Sequence, residues 1–193
     1  MEVASGRECG ACSLCCTLLR VDELAKRGGV DCVHQRPEGG CGIYERRPGI
    51  CRAYRCLWLR GHFEESDRPD RLGAVLDFVN HGGTLMLEVR EAREGSFDAS
   101  PRLQEIAERQ RATLPVRVTD ADDVMDPDRP FRVLLPGGEE QRVAGDRIEV
   151  HRPGQPVEVR RLPLLERLAR RALLRLRARR LRGSRDGPQV AKR

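Results

Sequence analysis

The chain has 193 residues, 39% of them hydrophobic and 34% charged, with a formal net charge of +6. That length suits one domain or a small pair built on a soluble core. No window approaches the roughly 18 apolar residues of a membrane span, and Met1–Glu8 holds no apolar run, so neither a span nor a signal peptide is expected and the expected location is the cytoplasm.

Cysteine dominates the first part of the chain. Cys9, Cys12, Cys15 and Cys16 form a C-x2-C-x2-C-C run, Cys32, Cys41, Cys51 and Cys56 follow, and no cysteine lies elsewhere. A reducing cytosol disfavours disulfides, so this density asks for a metal, with a disulfide framework as the lesser alternative. A two-residue gap lets two sulfurs converge on one ion while intervening backbone N–H groups point at the thiolates and spread their charge. Cys9, Cys12 and Cys15 repeat that gap in the order of the first three ligands of a bacterial ferredoxin loop, whose fourth ligand comes from far away. The next cysteine here is adjacent, and no Cys-Pro follows. Zinc and iron, the latter as a 4Fe-4S cluster, both fit. Side chains of neighbouring residues diverge by about 100° in a helix and about 180° in a strand, so Cys15 and Cys16 are expected to serve different centres. Eight thiols then divide naturally into two four-ligand sites, with a single cluster and four spare thiols as the alternative, and spacing alone does not say which cysteine belongs to which.

The run C-G-A-C-S-L-C-C, followed by Cys32 and by C-G-I-Y-E-R-R-P-G-I-C-R-A-Y-R-C from Cys41 to Cys56, resembles the CxxCxxCC cysteine-cluster family, described as a zinc- or iron-chelating domain. The likeness covers roughly the first third of the chain and takes in all eight cysteines with Tyr44, Arg47, Pro48 and Arg52. It implies metal binding without an assigned reaction. A flagellin lysine methylase carries a similar cluster, and nothing outside the cluster extends that activity to this chain.

Around the cysteines, Asp22 is expected to cap a short helix with Glu23 outward and Leu24 inward, ended by Gly28-Gly29. His34 is an alternative ligand, but with eight thiols at hand a loop histidine is the favoured reading. Arg47 and Arg52 are candidates to donate N–H bonds to thiolate sulfur, with a solvated surface role as the equal alternative. Tyr44 and Tyr54 are expected to pack over the site. Bound thiolates also correct the charge: two zinc sites of four thiolates contribute about −2 each, leaving about +2. Lys26 and Lys192 are the only lysines, so arginine supplies nearly all the positive charge.

Beyond Gly61 cysteine vanishes and strand patterns begin. Gly73 to Val79 and Thr84 to Arg90 flank Asn80-His81-Gly82-Gly83 and predict a hairpin. Ser100 then caps a helix that Pro101 opens and that runs to about Ala112, with Leu103, Ile106, Ala107 and Gln110 on one side. Val116 to Thr119, Phe131 to Leu135 and Arg147 to His151 predict further short strands. His62, Glu64, Glu65, Asp67, Asp70, Asp77 and His81 are titratable but show no diagnostic spacing, and surface charge is the favoured reading.

After Pro163 the pattern is that of a basic amphipathic helix, with Leu164, Leu165, Leu168, Ala172 and Leu176 on one face and Arg167, Arg170 and Arg177 opposite. Packing against its own domain is the favoured role, ahead of binding to nucleic acid, an acidic partner or an anionic membrane. The expected fold is α+β: a cysteine-cluster metal-binding module over 1–60, an α+β region over 61–156, the basic helix over 157–182 and a disordered tail over 183–193. Three functional classes follow in order. The first is a metal-binding protein whose cluster is structural, stores or chelates metal, or nucleates a protein-interaction surface. The second is an iron–sulfur enzyme or electron carrier, methyl transfer included, and the third is a nucleic-acid-binding zinc module suggested only by the arginine-rich tail.

Overall fold

The computed structural model describes residues 3–120 and 129–183. Among them, seven strands lie side by side in chain order as one mixed sheet, accompanied by helices. They are β1 Ala74–His81, β2 Thr84–Glu91, β3 Val116–Thr119, β4 Phe131–Leu134, β5 Glu140–Ala144, β6 Arg147–His151 and β7 Glu158–Arg161. All neighbours pair antiparallel except β2 and β3, which run parallel. An antiparallel pair needs only a turn, whereas a parallel pair needs a crossover, and that crossover holds the helices that cover one face of the sheet. Three short helices precede it, α1 Leu14–Leu18, α2 Gly49–Ala53 and α3 Pro69–Leu72; the crossover itself carries α4 Ser96–Ala99 and α5 Pro101–Arg111, and α6 Leu164–Gly183 ends the described chain.

Strand alternation sends side chains to opposite faces of the sheet. Ala74, Leu76, Leu87, Val89, Val116 and Val118 point to one face, where Phe97 of α4 and Leu103, Ile106 and Ala107 of α5 close a core. Each such fully buried leucine contributes about 2 kcal/mol. The predicted hairpin and helix are present: β1 and β2 pair through Asn80↔Leu85 and His81↔Thr84, and the Ser100 hydroxyl accepts from the Leu103 N–H at 3.3 Å. The other face of β1 and β2 carries Val75, Asp77, Glu88 and Arg90, and the cysteine-bearing stretch packs there. Leu57 links the two sides. Its N–H donates to the Leu76 carbonyl at 3.1 Å along the free edge of β1, so Leu57 enters the helix-side core while Cys56 and Trp58 point to the other face.

Four expectations are corrected. The helix expected after Asp22 is a single 3-10 turn, Asp22–Leu24, because Ala25 adopts a left-handed φ of 50° and ends it before the glycines. Glu23 is not simply outward: its carboxylate accepts from the N–H groups of Gly49 and Ile50, each at 3.2 Å, and so caps α2 from a distant part of the chain. β5 and β7 were not expected from the sequence; β5 buries only Val143 and β7 buries nothing. Finally, α6 is present but does not pack on the body through its leucines: Leu164, Leu165, Leu168, Leu173 and Leu176 are 52–81% exposed. One tether to the body is Arg167, whose Nη1 lies 3.0 Å from Asp146 Oδ2. The side chains of Arg170 and Arg177, and the tail beyond Gly183, lie outside the described residues. No helix among the described residues is long and apolar enough to cross a membrane.

Candidate metal centre

The eight cysteines come from five separate pieces of chain, and local chemistry explains how they meet. Cys9 and Cys12 share one turn, closed by the Cys12 N–H donating to the Cys9 carbonyl at 2.8 Å. Cys15 and Cys16 follow in α1. The 39–40 backbone lies directly on the turn between Cys9 and Cys12: a Cβ on Gly39, at φ 93°, would stand 2.3 Å from the Ala11 carbonyl oxygen, which only glycine tolerates. Cys41 follows that contact and pairs with Gln35. The preceding loop is tied to α1 by Thr17 Oγ1 donating to Asp31 Oδ1 at 2.7 Å and by Gln35 Nε2 donating to Ser13 Oγ at 3.0 Å. Cys51 rides on α2, which Glu23 caps, and Cys56 is placed by the edge pairing of Leu57 with β1.

All eight thiols are free, and all eight line one cavity of about 410 Å³. Its walls also include Lys26, His34, Arg47, Tyr54, Asp77 and Arg90. Lys26 is buried, its Nζ donating to the carbonyls of Thr17, Leu19 and Arg27 at 2.8, 2.5 and 2.8 Å, which holds an ammonium at the end of α1. Arg47 stacks over the Tyr44 ring at 3.5 Å and donates Nε–H to the Tyr44 carbonyl at 2.7 Å. Beneath the cavity, buried Glu88 lies 3.0 Å from His81, 3.4 Å from Arg90 and 3.2 Å from Arg117. Burial alone would raise the Glu88 carboxyl, but Arg90 and Arg117, with the hydrogen bond to His81, outweigh it and hold Glu88 below the ordinary carboxylate value. Asp77, with Arg60 as a more distant partner at 3.8 Å, is instead pushed up by burial.

The thiols differ in their chemistry. Burial raises Cys9, Cys51 and Cys56, and raises Cys12 to about 11. Cys15 keeps its proton because it donates that proton to Cys16, with burial adding to the effect. The same hydrogen bond, helped by Lys26 and Arg47, lowers Cys16 to about 7. Donors also point at sulfur: the backbone N–H groups of Leu14 and Asp70 at Cys12, those of Leu59 and Trp58 at Cys56, and the Tyr44 hydroxyl at Cys9. These are the bonds that thiolate ligands need to spread their charge. The buried Tyr54 hydroxyl has no hydrogen-bond partner among the described residues, and its surroundings include Cys15, Cys56 and Asp77.

No known protein family, no curated protein and no solved structure matches the chain. The case for a site therefore rests on its own geometry. Among the described residues, no three or more His, Cys, Asp or Glu side chains stand at the spacing that grips a metal ion. The cavity nevertheless gathers a soft donor set of eight thiols, with His34 and Asp77 on the same wall and cations nearby, a composition of the kind that zinc and iron–sulfur clusters take.

Of the other residues singled out in the sequence, His34 reaches the cavity wall, as do Arg47, Tyr44 and Tyr54, whereas Arg52 is exposed and off the cavity. The titratable group after Gly61 disperses. Asp67 pairs with Arg102 at 2.7 Å, Asp70 with Arg68 at 2.7 Å, His81 turns to Glu88, and His62 stacks edge-on to Phe78 at 5.7 Å. Only Asp77 of that group joins the cavity wall. Lys26 and Arg90 are site residues that sequence reasoning missed. Lys26 carried a signal: in a chain that otherwise uses arginine, its one lysine before position 192 stands inside the cysteine stretch.

Proposed function

We propose that this protein is a cysteine-thiolate metal protein, holding zinc or iron–sulfur in two centres and working in the reducing cytoplasm. The observation that carries this reading is that all eight cysteines, unpaired although separated by up to 47 residues of chain, line one cavity. The N–H groups that bond Cys12 and Cys56 support it, as does the buried Tyr54 hydroxyl, which has no partner among the described residues and has Cys56 and Cys15 in its surroundings. Eight thiolates around one cavity repel one another, so the charge of a metal is what would draw them into ligating distance. The resemblance of the cysteine run to the CxxCxxCC family agrees with this reading. Bound zinc would supply folding free energy, about 10–16 kcal/mol per site in small zinc peptides; an iron–sulfur cluster would add electron transfer. Lys26 and Arg47 offset thiolate charge at Cys16.

The test is anaerobic purification of the full chain followed by elemental analysis and an absorption spectrum. A colourless protein with about two zinc ions, or a brown one with iron and acid-labile sulfide, supports the proposal. A chain that carries no metal and takes up neither Zn²⁺ nor a reconstituted cluster overturns it.

A further inference from the structure

The eight thiols reach the cavity by different routes, and those routes sort them. Cys9 and Cys12 lie on one turn, Cys15 follows in α1, and Cys56 arrives from the far end of the stretch on the segment that edges β1. Cys56 is buried with Leu18, Trp58, Leu59 and Val75, and Cys9 packs against that group. Cys12 has Cys56 as an electrostatic neighbour, Cys56 has Cys9, and Cys15 has Cys9 and Cys12; the contacts to Cys16 run from Cys15, by hydrogen bond, and from Cys9. Cys16 is the next residue of α1 and turns by about 100°. Lys26 is its neighbour, and Lys26 in turn neighbours Cys32. Cys51, on the capped α2, has Cys16, Cys32 and Cys41 as its neighbours. The loop carrying Cys32 is tied to α1 beside Cys16 through Thr17 and Asp31 at 2.7 Å.

Resting on the metal reading above, we infer that the cavity holds two centres with a fixed division. Cys9, Cys12, Cys15 and Cys56 form an inner set against the sheet, and Cys16, Cys32, Cys41 and Cys51 form an outer set, with the Cys15–Cys16 step as the wall between them. Each set then has the four ligands that one tetrahedral ion or one four-iron cluster takes from protein. The inner set joins three closely spaced cysteines to one remote residue. The outer set draws one cysteine from each of four segments, so it ties the irregular chain between α1 and α2 together.

Trp58, the only tryptophan, shares the buried group of Cys56 and so reports mainly on the inner set. The test is titration of the reduced, metal-free, full-length chain with Co²⁺, read by thiolate-to-metal charge-transfer absorbance and by quenching of Trp58 fluorescence. Cys12→Ser and Cys56→Ser are each expected to lose about half the absorbance together with the quenching. Cys32→Ser and Cys51→Ser should lose the other half and keep the quenching. Each single variant retains a loaded set, which shows that its chain still folds. The double variant Cys12→Ser with Cys56→Ser should lose no more than either single, whereas Cys12→Ser with Cys51→Ser should lose everything. Single variants that empty the protein, a same-set pair that abolishes all absorbance, or quenching that follows Cys51 rather than Cys12 would overturn the division. A wild-type chain that takes up no cobalt overturns the metal reading beneath it instead.

Discussion

Asp67 shows how much one side chain can hold. It is buried, accepts from the Glu64 N–H at 3.1 Å, and pairs with Arg102 at 2.7 Å, joining the approach to β1 to the first turn of α5. Its hydrogen bond from Arg102 holds the carboxyl below the ordinary carboxylate range. Because the folded value is depressed, the stabilisation is complete above the unfolded value of about 3.9 and is lost as pH falls through the folded value. Asp67→Asn should therefore destabilise the protein by about 1–2 kcal/mol at pH 7, since Arg102 keeps Glu64 and Glu105 as partners. The gap from wild type should narrow below about pH 4, as read by thermal unfolding at a series of pH values. A gap that does not change with pH would show that the pair is not the source. Lys26 is the counterpart at the site: burial lowers its ammonium while neighbouring thiols, Cys32 and Cys16 first, work against that. Such a residue is invisible to spacing rules because its role depends on carbonyls brought together by the fold.

Among the elements, those with strong local chemistry were legible in the amino-acid pattern. The hairpin turn, though tighter than read because Asn80 and His81 pair within β1 and only Gly82-Gly83 turn, the Ser100-Pro101 start of α5, and β3, β4 and β6 stand where the pattern placed them. β5 was not legible because Glu140, Gln141 and Arg142 give it no apolar alternation, and β7 is an exposed edge made of Glu158, Val159, Arg160 and Arg161. Both are strands through pairing with a neighbour rather than through propensity. The capping of α2 by Glu23 is equally long-range and leaves no local trace. Amphipathicity correctly signalled that α6 is a helix but misplaced its apolar face, which the fold turns to solvent. Leu165→Ser and Leu168→Ser should accordingly shift stability by no more than about 0.5 kcal/mol, whereas Leu103→Ala in α5 should cost about 3 kcal/mol. Urea midpoints measure all three. A cost for the α6 variants near that of Leu103→Ala would mean that α6 packs on the body.

For the whole molecule, the sheet works as a divider. One face supports a conventional apolar core under α5; the other, through Val75, Asp77 and Arg90, forms part of the wall of a cavity whose remaining walls are irregular chain. The thiols of that cavity were legible as residue types and as a cluster, since all eight cysteines fall between positions 9 and 56. Its sheet-side wall was not, because Asp77 and Arg90 join the lining only through strand register and the path of residues 56–58. The measurement that bears most directly on the central claim is X-ray absorption at the metal edge of the anaerobically purified full-length protein. A first shell of sulfur alone, at about 2.3 Å for zinc, is the predicted result. A first shell of nitrogen or oxygen, or the absence of any metal edge, would contradict it.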